Sequence, residues 1–245
     1  MNISKNQLKL ITSLSQKKYR QKHNLFIVEG VKVVNEFLKS NFKLHTLFYT
    51  DEFVTDSIRK DKLVCVSESD LKKITNLKNP NKVLGLFQIP DKKNIEDKGL
   101  VVVLDAINDP GNLGTIIRLC DWFGVKELIC SKDTVDCYNA KVVQASMGSL
   151  TRISIHYTDI IKYLTVSGLP KFIADMNGEN VYKTLLPKEG VLIMGNEANG
   201  VSNEVKEFVN TIVSIQRFGD TQETESLNVA TATAILLSEF RRGLN

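Results

Sequence analysis

Between residues 100 and 215, short apolar runs alternate with helical patterns at the spacing expected of a parallel sheet, and this alternation constrains the fold most. Strand patterns lie at residues 100–104, 127–130, 153–156, 172–174, 191–194 and 212–215. Helical patterns begin near Asn112, span about 139–150 and 159–164, and begin again at Ser202. After the last strand, Ser226-Leu227-Asn228-Val229 opens a run of small and aliphatic residues with Leu227, Ala230, Ala234 and Leu237 at helical spacing. Ser226 is suited to cap that helix, and its Ala and Thr residues leave room for a second backbone, a ligand or a twin subunit. In an open parallel sheet, ligands bind beyond the carboxyl ends of the strands.

Residues 1–90 read as a separate small α/β domain. Ser4-Lys5-Asn6-Gln7 fits a capping box, and Leu8, Ile11 and Leu14 mark one face of a first helix. That helix ends in Lys17-Lys18-Tyr19-Arg20-Gln21-Lys22-His23, where Lys17, Lys18, Arg20 and Lys22 surround an aromatic ring suited to RNA phosphates and an unpaired base. Strand patterns follow at 25–28, 44–49, 63–66 and 83–87, with helices after Glu29-Gly30 and after Ser67. Residues 91–99 follow Pro90, lack an apolar period and read as the linker to a domain spanning 100–245.

Charge agrees with this division. Residues 1–90 carry 16 Lys and Arg against 8 Asp and Glu, while the remainder carries 16 against 20, within a net charge of +4. A basic module joined to a slightly acidic one points to phosphates as partners. With 42% hydrophobic residues the chain can bury a sizeable core, and no apolar run reaches the length needed to cross a bilayer. A soluble, cytoplasmic protein without a membrane partner is expected. Cys65, Cys120, Cys130 and Cys137, with scattered His23, His45 and His156, match neither a disulfide framework nor a metal site, so no metal is expected.

Three polar segments stand where strands end. The first contains Asp109-Pro110-Gly111-Asn112-Leu113-Gly114, with Arg118 nearly two helical turns in; Asn112 reads as the helix cap. It lacks the Gly-x-Gly-x-x-Gly of a dinucleotide loop, which argues against a dehydrogenase. The second follows Met194 and is Gly195-Asn196-Glu197-Ala198-Asn199-Gly200-Val201-Ser202, and the third runs from Ile215-Gln216 to Ser226-Leu227-Asn228-Val229. In this order they closely resemble the three motifs of the SpoU family of RNA ribose 2′-O-methyltransferases, within the SPOUT superfamily. Asn112, Gly114 and Arg118 match the first motif, Gly195, Asn196, Glu197 and Gly200 the second, and Ser226 to Val229 the third. Arg20, Phe26, Glu29 and Gly30 resemble the looser pattern of the family's substrate-binding domain, a small ribosomal-protein-like fold.

The resemblance implies an α/β fold whose parallel-sheet domain carries a deep trefoil knot. It implies a homodimer that methylates a ribose 2′-hydroxyl in tRNA or rRNA with S-adenosylmethionine. Gly195, Ile215, Leu227, Asn228, Met194 and Gln216 are then expected around the cofactor, with Arg118 and Asn112 as catalytic residues. Glu197, Ser226 and Gly200 are expected to shape the loops and the interface. Methyl transfer to an alcohol requires alignment and removal of a proton. A guanidinium is a poor proton acceptor, so Arg118 is expected to hold phosphate and stabilise alkoxide charge. The family usually has proline where Gln216 stands, and the loop 219–225 is longer than usual. These departures admit a second reading, a catalytically silent RNA-binding or ribosome-assembly protein on the same fold.

Overall fold

The computed structural model describes residues 3–242 except 51–52, 54–57, 78, 197, 210 and 220–225. The chain forms two compact units, Met1–Asp91 with Asp136–Thr151, and Lys92–Val135 with Arg152–Asn245. The segment 136–151 thus joins the first unit, where a single break at 90–99 would have left it in the second.

The first unit opens with α1 (Lys5–Ser13), where Gln7 N–H donates to Ser4 Oγ at 3.2 Å and Ser4 N–H to Gln7 Oε1 at 2.9 Å, closing the expected capping box. The basic stretch is not the end of this helix but a second one, α2 (Lys17–His23). Between them, the Ser13 and Ser15 hydroxyls donate to the Leu10 and Thr12 carbonyls, a local alternative to helical bonding. There follow β1 (Leu25–Glu29), α3 (Val31–Leu38), β2 (Leu44–Tyr49), β3 (Leu63–Cys65), α4 (Glu68–Ile74) and β4 (Val83–Gln88). The strand order is β1-β4-β2-β3, with β4 antiparallel to β1 and β2. Leu25 and Ile27 pack in a core with Ile11, Leu14, Leu71 and Ile74. Phe26 points the other way, 5.6 Å between ring centroids from Phe37 and 4.7 Å from Tyr138. With both faces covered, β1 is apolar at successive positions rather than alternating.

The second unit begins with β5 (Leu100–Leu104), α5 (Pro110–Trp122) and β6 (Glu127–Cys130). The chain then contributes α6 (Ala140–Ala145) to the first unit and returns as β7 (Ser154–Tyr157), α7 (Ile160–Val166), β8 (Lys171–Asn180), β9 (Gly190–Met194), α8 (Asn203–Lys206), β10 (Thr211–Ser214) and α9 (Val229–Arg241). All six strands are parallel, in the order β10-β8-β9-β5-β6-β7. One face packs Val101, Val103, Ile129, Val191 and Ile193 against Ile160, Tyr163 and Leu164 of α7 and Val205 of α8. On α9, which packs against α5, Phe240 meets Phe172 edge to face at 5.3 Å.

Register brings the strand ends level. Leu104 pairs with both Cys130 and Met194, and Asp105 N–H donates to the Met194 carbonyl at 2.9 Å. β8 runs beyond the short strand expected at 172–174: Ile173 pairs with Ile212, but Glu179 pairs with Val213, so residues 174–178 bulge outward. A Cβ at Gly178 would lie 2.6 Å from the Ile212 carbonyl carbon, so β10 approaches β8 this closely only because glycine is there.

Candidate active site

A cavity of about 700 Å³ opens at the carboxyl rim of the parallel sheet. Its described walls are the β8 bulge (174–177), Met194 with the loop after β9, the segment 215–219 after β10, and Ser226, Leu227 and the first turns of α9. Of the residues expected around a cofactor, Met194, Gly195, Ile215, Gln216 and Leu227 line it, as do Gly200 and Ser226. Asn228 is absent from the lining and holds the neighbouring helix end. Glu197 lies outside the described residues. The β8 bulge was not foreseen from the sequence, because its polar residues carry no strand period.

The loop after β9 is built by its asparagine and glycines. Asn196 Oδ1 accepts the Ala198 and Asn199 N–H groups at 3.0 and 2.7 Å, while Asn196 and Gly200 exchange backbone bonds of 3.2 and 2.9 Å. Gly200 has φ +66, a left-handed conformation that glycine adopts without cost. A Cβ on Gly195 would overlap the Gly200 carbonyl, so the two ends of the loop touch through bare backbone. The loop is tied to the sheet by Asp105, a buried carboxylate accepting the Ser202 N–H at 2.8 Å.

Two helix starts meet beside it. Asp109, not Asn112, caps α5, accepting the Asn112 N–H at 2.8 Å with Pro110 in the first turn. Asn228, not Ser226, caps α9, accepting from Ala230 and Thr231 at 3.0 and 3.2 Å. Asn228 Nδ2 also donates to Asn112 Oδ1 at 2.9 Å, so residues 116 positions apart bind the two helix starts together. Arg118 is exposed on α5 and, among the described residues, has no hydrogen bond or ion pair. Neither Asn112 nor Arg118 lines the cavity.

The polar part of the wall is held by side chains. Gln216 Oε1 accepts from Asn180 Nδ2 at 3.2 Å, and its Nε2 donates to the Arg217 carbonyl at 3.0 Å, which anchors the segment where a proline would have stiffened it. Asp175 accepts the Asn177 N–H at 3.1 Å and pairs with Lys206 at 3.2 Å. Burial, the largest influence, favours its neutral form, but the Asn177 N–H and the Lys206 ammonium outweigh it and hold the carboxyl below its ordinary value. The cysteines are free thiols, and burial pushes Cys120 up to about 12.

In the first unit, Lys17, Lys18 and Lys22 are exposed on α2, and Lys18 Nζ lies 4.9 Å from the Tyr19 ring centroid. Arg20 departs from the expected cluster. It is 3% exposed, bonding Asp136 Oδ2 through Nε at 2.9 Å and Nη2 at 2.5 Å, and the Leu14 and Ser15 carbonyls through Nη1. Its guanidinium is consumed within the protein, so it fastens α2 to the segment 136–151 and offers nothing to RNA. Glu29 is also buried; it binds the Thr75 hydroxyl and the Asn76 N–H and side-chain amide.

Comparison with known proteins agrees with this architecture. The SpoU rRNA Methylase family matches residues 99–238, and the MRM3-like substrate binding domain matches residues 5–85. A 23S rRNA (guanosine(2553)-2′-O)-methyltransferase of Bacillus subtilis is 30% identical over 234 residues, 93% of each chain. A TrmH-family protein from Porphyromonas gingivalis superimposes with TM-score 0.89 at 35% identity over 99% of both chains. An AdoMet-bound rRNA methyltransferase from Sinorhizobium meliloti superimposes with TM-score 0.87 at 31% identity, covering 100% of this chain and 98% of that one. The paired matches, in the order in which the two units occur, place this chain in the SpoU rRNA methylase family.

Proposed function

We propose that this protein is an RNA 2′-O-methyltransferase that transfers the methyl group of S-adenosylmethionine to a ribose of ribosomal RNA in the cytoplasm. The observation that carries this reading is the cavity of about 700 Å³ walled by the second and third motif segments, in a chain that aligns almost end to end with an AdoMet-bound rRNA methyltransferase. The cavity fits that cofactor. Met194, Val213, Ile215, Val229 and Leu236 offer apolar surface for a flat base, and the Cβ-free backbone at Gly195 and Gly200 lets polar main-chain groups approach it.

When bound, S-adenosylmethionine supplies a methyl group on a positively charged sulfur that departs as a neutral thioether. The chain's task is then to align a ribose hydroxyl with that methyl and to ease loss of the hydroxyl proton. Arg118 holds an RNA phosphate and stabilises the developing alkoxide, and its exposure, with no hydrogen bond or ion pair among the described residues, supports that assignment. Asn112 orients the nucleotide, with its amide set by Asn228. Lys17, Lys18 and Lys22 bind the RNA backbone from the first unit. The trefoil knot and the homodimer belong to the same reading. The indole of Trp122 at the end of α5, 83% exposed, is apolar surface that a second copy would cover, and sedimentation over a dilution series tests this.

The test of activity is transfer of labelled methyl from S-adenosylmethionine into unmodified RNA separated into ribosomal and transfer fractions. Label is expected in ribosomal RNA, resistant to alkaline cleavage at one position, and absent with Arg118→Ala. Binding of RNA without label in any precursor fraction would make the protein a silent RNA binder instead.

A further inference from the structure

Among the described residues that line the cavity, Asp175 is the only carboxylate, and the one cationic side chain beside it on that wall is Arg217. Asp175 sits on the β8 bulge, a part of the wall that belongs to none of the three motif segments. Its carboxylate is 18% exposed and stays ionised: Oδ1 takes the Asn177 N–H, and Oδ2 takes Lys206 Nζ at 3.2 Å. A carboxylate offers about four acceptor positions. Two are used here, so capacity for a further cation or donor remains on a group that lines the cavity, whose other described lining residues are neutral apart from Arg217.

We infer that Asp175 binds a cationic centre of the cofactor, its sulfonium or its α-ammonium, and that Lys206 competes with that centre for the carboxylate. The inference rests on the cofactor reading above. S-adenosylmethionine carries both positive centres, S-adenosylhomocysteine keeps only the ammonium, and methylthioadenosine keeps the adenine and ribose with neither. If the sulfonium is the partner, methyl transfer itself removes the charge that Asp175 holds, and the spent cofactor loosens at that point.

Titration calorimetry of the full-length protein with these three compounds decides the matter. Asp175→Asn is expected to weaken S-adenosylmethionine by about tenfold or more, as for loss of a charge-assisted hydrogen bond, while methylthioadenosine binds within about twofold of wild type. S-adenosylhomocysteine identifies the centre: retained affinity means the sulfonium, a parallel loss the ammonium. Lys206→Met, which breaks the same ion pair but keeps the carboxylate, is expected to bind S-adenosylmethionine as well as wild type or more tightly. The inference is overturned if Asp175→Asn leaves S-adenosylmethionine unchanged or weakens methylthioadenosine equally. It is also overturned if Lys206→Met is as damaging as Asp175→Asn, because the pair would then serve only to hold the wall. A wild-type protein that binds none of the three refutes the cofactor reading itself.

Discussion

The hydrogen that Gly195 carries in place of a Cβ lets the loop after β9 close on itself. Gly195→Ala would drive a methyl group into the Gly200 carbonyl and the Val201 nitrogen, backbone atoms that cannot rotate away. Overpacking of this kind costs about 1–3 kcal/mol. A lowered thermal midpoint with weakened S-adenosylmethionine binding is therefore expected, read by thermal melts and calorimetry; a variant unchanged in both would show that the loop tolerates opening. Residue type alone pointed to glycine at this site, but not to the atom it must avoid. The same limit explains Arg20, whose neighbours in sequence are three exposed lysines. Composition cannot separate an arginine that reaches solvent from one whose guanidinium turns inward to Asp136, because the partner arrives from 116 residues away.

Helix and strand existence was legible because hydrophobic period reports burial directly, and every strand pattern of the parallel sheet falls on a strand. Element ends were less legible. Ser226 and Asn228 are both good capping types, and the cap is decided by where the backbone leaves the helix, with Asn228 also required by Asn112. Asn228→Ala should cost about 1 kcal/mol through the lost cap. Because it also releases Asn112, its effect on turnover should exceed its effect on cofactor affinity, a comparison that steady-state kinetics and calorimetry make together. Asp136 is the corresponding element-scale test in the first unit. Asp136→Ala leaves the Arg20 charge buried without its partner, and breaking such a pair costs about 3–5 kcal/mol. Denaturant unfolding should show that loss, and a change below about 1 kcal/mol would place Arg20 in contact with water.

For the whole molecule, the proposed function assigns phosphate attraction to the first unit and chemistry to the second. Replacing Lys17, Lys18 and Lys22 together with Gln should reduce the slope of log affinity against log salt by about 2 for RNA, since each phosphate contact on a single strand contributes about 0.7. Filter binding across salt concentrations would measure it, and an unchanged slope would remove α2 from the RNA interface. The sequence by itself determined the alternation of strands and helices, the parallel sheet, the order of three polar segments at strand ends and the basic character of the first unit. Each of these is written in local period, composition or spacing. Only the tertiary structure decided that residues 136–151 return to the first unit, that Arg20 is spent on Asp136, that Asn112 meets Asn228, and that the β8 bulge brings Asp175 to the cavity. These are pairings between segments distant along the chain, fixed by burial and mutual hydrogen bonding once the strands are in register, and no local pattern encodes them.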